Sequence, residues 1–154
     1  MLKNKLALIT GANRGIGLSI LKKFSENEAD IIACSRNKNE KFEQLILDIS
    51  KKYKNKITPV YFDLSKEYEV KQGIEKINTI SNKIEIIVNN AGINQVSLFQ
   101  ITSIEKIKEI FDINFFSHLR LTQKLMKIMI TGAAGHIGSY LIRSLPQSFK
   151  ILRI

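Results

Sequence analysis

Residues 5–17 read KLALITGANRGIG. The first six of them, Lys5 to Thr10, form a short apolar run of the kind that makes a buried strand. After the glycines, apolar residues recur at helical spacing, at Ile16, Ile20, Leu21 and Phe24. A strand, a glycine-rich turn and a helix in immediate succession indicate the start of a βαβ unit.

The same alternation continues along the chain. Further strands are predicted at 30–34, 57–62 and 84–88, with helices between them and a long helix over 103–125. The apolar residues of that long helix are predicted to face inward: Ile104, Ile107, Ile110, Phe111, Phe115, Leu119 and Leu125. Strands that alternate with helices join by right-handed crossovers into a parallel sheet covered on both faces. The predicted fold class is therefore α/β, a doubly wound parallel sheet.

The glycine run predicts what the first turn binds. Glycine allows the backbone to turn tightly and lets a diphosphate come within hydrogen-bond reach of the main chain. The helix that follows offers unpaired N–H groups and the positive end of its dipole. The position of the run between a strand and a helix predicts a dinucleotide cofactor. The predicted cofactor-binding residues of this turn are Gly11, Asn13, Arg14, Gly15, Ile16 and Gly17.

The end of the second strand carries Ser35 and Arg36, with no acidic residue. An acid at this position would accept a hydrogen bond from the 2′-hydroxyl of NAD, whereas an arginine can bind a 2′-phosphate. Arg14, within the glycine run, could reach the same phosphate. The sequence therefore predicts that NADP(H) is favoured over NAD(H). The alternative is that Arg36 is one more surface cation.

Taken in order, four motifs resemble the short-chain dehydrogenase/reductase family. Thr10 to Gly17 resembles its TGxxxGxG motif, and Asp63 with Leu64 resembles its adenine-contacting DL pair. NNAG at 89–92 resembles the element of that name, and Asn114 resembles the family's helix asparagine. The resemblance covers residues 1–125 and implies a Rossmann-type sheet. It adds Asp63, Leu64, Asn89, Ala91 and Gly92 to the predicted cofactor-binding residues, and Asn114 as the predicted catalytic residue.

Each of these motifs has an implied role and an alternative. By resemblance, Asp63 accepts from the adenine amino group; alternatively, it caps the next helix. Residues 89–92 let the backbone approach the cofactor ribose, or form an ordinary polar turn. By resemblance, Asn114 holds a carbonyl and a water of a proton relay; alternatively, it is a satisfied polar residue at a helix kink. His118 has no partner suggested by the sequence and is expected to be structural or exposed.

The family's chemistry is hydride transfer between a nicotinamide and a carbonyl or alcohol carbon. It uses a tyrosine as acid/base and a lysine four positions later, on the same helix face. None of the four tyrosines fits, because the residues four positions after them are Ile57, Ser65, Gln72 and Ser144. We therefore expect a chain that binds NADP(H) and lacks turnover, with its own status as an enzyme uncertain. The alternative is a noncatalytic nucleotide-binding or interaction module, or a fusion fragment that does not accumulate.

A second glycine run, TGAAGHIG, occupies residues 131–138 and follows KIMIT, with no turn residue between the long helix and that strand. It resembles the N-terminus of the extended branch of the superfamily, the sugar-nucleotide epimerases and dehydratases. Residues 150–154 (KILRI) resemble that unit's second strand. We therefore predict two parts: a truncated Rossmann domain at 1–125, and the start of a second unit at 126–154. The rival interpretation makes KIMITGAAGHIG a decayed fifth strand of the first domain, with Thr131 near the substrate serine.

Composition limits the other possibilities. The chain has 154 residues and a net charge of +10, and residues 126–154 contain four basic residues and no acidic one. Ile, Lys and Asn are over-represented and the lysines are dispersed, so we expect a solvated surface and no nucleic-acid partner. One cysteine and no long apolar run predict a cytoplasmic protein that binds no membrane and no metal. We expect a small carbonyl or alcohol substrate only if the missing half of the reductase fold is supplied. The sequence is compatible with a homo-oligomer but does not predict one.

Overall fold

The computed structural model describes residues 2–96, 98–125, 128–130 and 151–153. Its elements begin with the strand, turn and helix that the glycine run predicts. In chain order they are β1 (Leu6–Thr10), α1 (Gly15–Glu26), β2 (Asp30–Ser35), α2 (Glu40–Tyr53), β3 (Ile57–Tyr61), α3 (Glu67–Ile80), β4 (Ile86–Val88), a 3-10 turn (Phe99–Ile101), α4 (Ile104–Phe111), a π-helical turn (Asp112–Phe116), α5 (Ser117–Leu125), β5 (Ile128–Ile130) and β6 (Ile151–Arg153).

Strands β1 to β4 form one parallel sheet in the order β3-β2-β1-β4. In the centre of the sheet, Leu8 of β1 lies between Ile32 of β2 and Ile87 of β4. The chain moves outward from β1 to β3 and then crosses to the other side of β1 for β4. The carboxyl ends of β1 and β4 therefore flank the point at which the strand order reverses, where open α/β sheets bind ligands. The predicted α/β, doubly wound fold is confirmed.

Both faces of this sheet are covered by helices. Leu8 of β1 is fully buried in a cluster with side chains of α3 and α5, and its neighbour Ile9 is fully buried in a second cluster with α1 and α2. Successive strand residues point to opposite faces, so both of them need apolar side chains. Each buried Leu or Ile contributes about 1.5–3 kcal/mol, and a sheet buried on both sides gives its loops a rigid base.

The predicted long helix differs from the prediction in two ways. It is divided into α4, the π-helical turn and α5, and several residues predicted to face inward are exposed. Four of its buried positions are four residues apart, at Ile113, Ser117, Leu121 and Leu125, and His118 is buried beside Ser117. The prediction was wrong because it followed the most apolar stripe, whereas the buried face includes a serine. The exposed residues predicted to face inward are Ile104, Phe111, Phe115 and Leu119.

Strands β5 and β6 pair with each other in parallel, Ile128 with Ile151 and Ile130 with Arg153, in a two-stranded sheet of their own. The second glycine run and the predicted helix after it lie outside the described residues.

A buried amide ties the ends of α1 and α2 to the sheet. The Nδ2 of Asn55 donates to the hydroxyl of Ser25 at 3.2 Å and to the carbonyl of Ala29 at 2.5 Å. Asn55 is only 9% exposed and Ser25 is fully buried. Both oxygens therefore depend on this one donor in a site that little water reaches.

Replacing Asn55 by Asp keeps the shape of the side chain and turns that donor into an acceptor. We expect Asn55→Asp to lower the free energy of unfolding by about 2 kcal/mol or more, because a buried carboxylate would face the carbonyl of Ala29, which can only accept. Urea denaturation measures the change. The matched control is Gln72→Glu, the same amide-to-carboxylate change at an exposed position of α3, which should stay within about 0.5 kcal/mol of the unchanged protein. Equal stability of the two variants would contradict this role of Asn55.

Candidate functional site

The first predicted turn needs its glycines for two different reasons. Gly11 and Gly15 have positive φ angles of 65° and 53°, a conformation that glycine adopts at low cost. Nothing lies within 4 Å of where a Cβ on Gly15 would be, so conformation alone requires glycine there. At Gly17 the reason is space, because a Cβ would lie 2.6 Å from Nδ2 of Asn90. Gly17 therefore lets α1 pass close behind the turn.

The beginning of α1 is arranged as an anion site would be. Arg14 precedes the helix in extended conformation, and no side chain among the described residues caps its first turn. The first N–H groups of a helix have no partner within the helix, and they carry the positive end of its dipole. The first turn of α1 can therefore donate to a phosphate.

The hydroxyl of Thr10 links the turn to the segment after β4. It accepts from the N–H groups of Asn90 and Ala91, both at 3.0 Å, and donates to the carbonyl of Val88 at 3.3 Å. In return, Nδ2 of Asn90 donates to the carbonyl of Thr10 at 3.0 Å. The carboxyl ends of β1 and β4 are thus joined by side chains as well as by the sheet. Thr10 and Asn90 were not predicted as site residues, although both stand inside predicted motifs.

A cleft of about 530 Å³ lies at these carboxyl ends. It is bounded by the glycine turn, the end of β2, the end of β3 and the segment after β4. Nine of the predicted cofactor-binding residues line it: Gly11, Asn13, Arg14, Gly15, Ile16, Arg36, Leu64, Ala91 and Gly92. The other three lie elsewhere: Gly17 packs behind the turn, and Asp63 and Asn89 are held by contacts described below, as is the predicted catalytic residue Asn114.

Arg36 and Asp63 face each other beside the cleft. Nε of Arg36 is 3.6 Å from Oδ2 of Asp63, and the arginine side chain is 57% exposed whereas the carboxylate is 15% exposed. Partial burial raises the pKa of Asp63, but the N–H and hydroxyl of Ser65 both donate to Oδ1, at 2.9 and 2.8 Å, and Arg36 and Lys66 add positive charge. The net result is a lowered pKa, so Asp63 is a carboxylate at neutral pH.

The alternative role of Asp63 as a helix cap is not what the structure shows. The N-cap residue of α3 is Lys66, with no side-chain cap from a described residue. The bonds from Ser65 to Asp63 instead close a short turn before the helix. The carboxylate keeps Oδ2 directed towards Arg36.

Asn114 lies in the π-helical turn and binds both backbone groups of one residue. Its Oδ1 accepts from the N–H of Ile93 at 2.9 Å, and its Nδ2 donates to the carbonyl of Ile93 at 2.8 Å. The segment after β4 therefore satisfies the amide, and its bond to a backbone carbonyl is compatible with both interpretations of Asn114. π-helical turns inside α-helices occur frequently at functional sites.

His118 was expected to be structural or exposed, and it is buried with a partner that the sequence did not suggest. It is 6% exposed, and its Nε2 lies 2.7 Å from the carbonyl oxygen of Ala91. Four residues later, the hydroxyl of Thr122 accepts from Nδ2 of Asn89 at 3.2 Å. Sequence reasoning missed both contacts, because the residues they join are about thirty positions apart.

Tyr61 and Cys34 both have a raised pKa, and neither supplies the missing acid/base group. Burial, and then the hydrogen bond from its hydroxyl to Oε1 of Glu43 at 2.8 Å, raise the pKa of Tyr61, whereas an acid/base tyrosine needs a lowered one. Burial likewise raises the pKa of the Cys34 thiol, at the inner wall of the cleft.

Among the described residues, no three His, Cys, Asp or Glu side chains are grouped to hold a metal ion, and no helix is long and apolar enough to cross a membrane.

Comparison with known proteins identifies related chains. The family model described as short chain dehydrogenase matches residues 5–139. A 3alpha-hydroxysteroid dehydrogenase of Mediterraneibacter gnavus is 33% identical over 138 residues, which are 89% of this chain and 55% of that protein. A 3-oxoacyl-(acyl-carrier-protein) reductase of Chlamydia muridarum is 32% identical over 137 residues, with the same two shares. The chain thus spans about half the length of the curated relatives it matches.

Solved structures share the fold. L-sorbose reductase of Gluconobacter frateurii, complexed with NADPH and L-sorbose, superposes with a TM-score of 0.75 over 80% of this chain and 47% of that one, at 24% identity. A short-chain dehydrogenase of Sphingobium yanoikuyae in complex with NADPH gives 0.71 over 79% and 46%, also at 24% identity. Because the family model matches well over half of the sequence, this chain belongs to the short-chain dehydrogenase/reductase family of oxidoreductases.

Proposed function

We propose that residues 1–125 are the cofactor-binding half of a reductase that uses NADP(H) for hydride transfer to or from a carbonyl or alcohol carbon. The observation that carries this proposal is the cleft at the carboxyl ends of β1 and β4, with the glycine turn and the first turn of α1 on one side. A dinucleotide there would place its diphosphate on the N–H groups of that turn. Two of the solved relatives hold NADPH, which supports the same assignment here.

Three features support a preference for the 2′-phosphate of NADP(H). Arg36 follows β2 directly, at the position that reads the ribose in dinucleotide-binding folds. Its guanidinium is 57% exposed and lines the cleft, so it can meet a ligand. Arg14 lines the same cleft from the glycine turn. A bound 2′-phosphate would compete with Asp63 for Arg36, whose Nε lies 3.6 Å from the carboxylate. The carboxylate would then be available to accept from the adenine amino group.

Arg36 provides the test of this preference. We expect the wild-type chain to bind NADPH more tightly than NADH, and Arg36→Ser to weaken NADPH binding about tenfold or more, since a charge-assisted hydrogen bond is worth about 1.5–3 kcal/mol. Binding of NADH should change by less than about threefold. Isothermal titration or quenching of tyrosine fluorescence measures both constants.

Lys38→Ser is the matched control, because Lys38 is a cation two residues away that is also exposed, and it lies near Glu43 rather than Asp63. It should leave both affinities within about twofold. Tighter binding of NADH by the wild-type chain, or an equal loss of both cofactors in Arg36→Ser, would be incompatible with the proposal.

The 154-residue chain is proposed to bind cofactor without turnover. No tyrosine in it is followed by lysine four positions later, and Tyr61 donates to Glu43 instead of facing the cleft. The proposed role of Asn114, to hold a carbonyl and a water of the proton relay, would lack the tyrosine that the relay serves. This supports the second candidate, a noncatalytic nucleotide-binding module.

Turnover and binding are separable in one preparation. We expect NADPH at about one hundred times its Kd to stabilise the chain by about 2.7 kcal/mol, seen as a rise of several degrees in Tm. Oxidation of NADPH with a panel of aldehydes and ketones should remain at the rate measured without protein. Sustained oxidation that depends on the chain would refute the absence of turnover, and an unchanged Tm would refute cofactor binding.

We propose that residues 126–154 begin a second unit of the same kind. The partners of β5 and β6 are 23 residues apart in sequence (Ile128 and Ile151), and those of β1 and β2 are 24 apart (Leu6 and Asp30); both pairs are parallel. A strand, a glycine run and a return strand at nearly equal spacing support this assignment. The family match continues to residue 139, which supports the rival assignment of KIMITGAAGHIG to the first domain.

The proposed assembly and location rest on the surface and the cysteine. Phe111, Phe115, Phe116 and Leu119 are between 41% and 56% exposed on α4, the π-helical turn and α5. A cluster of aromatic side chains on one face is typical of a contact between protein chains, so it supports a homo-oligomer. Cys34 is the single cysteine of the sequence and is buried without a disulfide, which supports a cytoplasmic location.

A further inference from the structure

Three polar side chains at intervals of four residues follow one face of the helical region from 114 to 122. Asn114, His118 and Thr122 each hold a different residue of the segment after β4. The residues that they hold are also regularly spaced, at every second position: Ile93, Ala91 and Asn89, in that order. The two stretches therefore run antiparallel, with one polar contact for each step.

The two spacings match in length. Four residues of a helix advance about 6 Å, and two residues of an extended chain advance about 6.6 Å. Because the two advances are similar, side chains four apart on the helix can meet every second residue of a segment that runs antiparallel to it. We call this set of three contacts, 114 to 93, 118 to 91 and 122 to 89, the polar ladder.

His118, the middle member of the ladder, is buried, and an apolar side chain would fill a buried position at a lower cost in desolvation. The carbonyl of Ala91 can only accept, so Nε2 carries the hydrogen and donates it. The other ring nitrogen, Nδ1, is buried and has no hydrogen-bond partner within the part of the chain that the structure describes. A buried polar atom without a partner lowers stability. The imidazole is therefore better explained by its contact with Ala91 than by packing.

The held segment is also a wall of the cleft. Ala91, Gly92 and Ile93 line it, and the hydroxyl of Thr10 accepts from the N–H groups of Asn90 and Ala91 on the other side. The segment is thus fixed from β1 by Thr10 and from α5 by the ladder. A Cβ on Gly92 would lie 3.2 Å from Oδ1 of Asn114, so the helix approaches the backbone closely.

We propose that His118 and Thr122 are positioning residues for the cofactor cleft: with Asn114, they hold residues 89–93 at the distance from the glycine turn that a bound dinucleotide requires. This inference rests on the proposed dinucleotide binding. His118 and Thr122 do not themselves touch the ligand; they act through Ala91 and Asn89.

The first test compares two replacements of His118. His118→Leu removes the donor and keeps an apolar side chain of similar bulk, and His118→Gln offers an amide donor in place of Nε2. We expect His118→Leu to raise the Kd for NADPH about tenfold or more, and His118→Gln to restore it to within about threefold of the wild type. Gln123→Leu is the matched control, because Gln123 is exposed on the same helix, and it should bind as the wild type does.

A second measurement does not depend on the cofactor. In the unliganded protein, His118→Leu should exchange the amide hydrogens of residues 89–93 at least tenfold faster, while those of β1 and β2 exchange at the wild-type rate. Wild-type binding together with unchanged exchange in His118→Leu would overturn the inference, and so would a failure of His118→Gln to restore either property. If the wild-type chain binds no NADPH, the proposed function fails, and the exchange experiment still decides whether the ladder exists.

Thr122 keeps the inference testable if His118→Leu does not fold. Thr122→Val preserves the shape of the side chain and removes the acceptor of Asn89, and Thr122→Ser keeps the hydroxyl. We expect faster exchange at residues 89–91 and weaker NADPH binding in the valine variant alone. Equal behaviour of the two variants would overturn the role of this end of the ladder.

Discussion

The hydroxyl of Thr10 joins the end of β1 to the segment after β4, at the point where the strand order reverses and the cleft lies. In the strand order β3-β2-β1-β4, the chain leaves β1 in one direction and returns to it from the other, so nothing in the local sequence holds the ends of β1 and β4 together. Thr10 does so by accepting from two successive backbone N–H groups, at Asn90 and Ala91. Because Thr10 is 1% exposed, these bonds have little competition from water. The glycine turn starts at the next residue, so these hydrogen bonds also fix its position relative to the segment after β4.

Much of this arrangement could be predicted from the sequence because it is encoded locally. Apolar runs separated by helical periodicity predicted the strands and their parallel pairing, and the glycines predicted the first turn, where Gly15 has positive φ and Gly17 has no room for a side chain. Contacts between distant residues could not be predicted in this way. Whether Asn89 or Asn90 faces β1 depends on the direction of the chain after β4, which the motif NNAG does not specify.

The helical region from 104 to 125 shows the same limit in another form. Its apolar residues suggested one continuous face, but the π-helical turn changes the phase between α4 and α5. Ser117 is buried because its hydroxyl donates to the carbonyl of Leu64 at 2.7 Å, while Phe115 and Phe116 pack edge to face with ring centres 5.2 Å apart, both partly exposed. The buried face thus includes a serine that is satisfied by a hydrogen bond to another part of the chain, and hydrophobicity alone does not predict such a contact.

The π-helical turn also limits how this region can change in length. Asp112–Phe116 contains the wider turn that sets the phase of α5 relative to α4. Removing one residue there would rotate every following side chain by about 100° around the helix axis, which would carry Leu121 towards solvent and His118 away from Ala91. Surface loops can gain or lose residues with local effects only. The number of residues in this turn is instead constrained, because the helices on both sides of it are held by their own contacts. Variation among relatives in this region should therefore take the form of substitution rather than insertion or deletion.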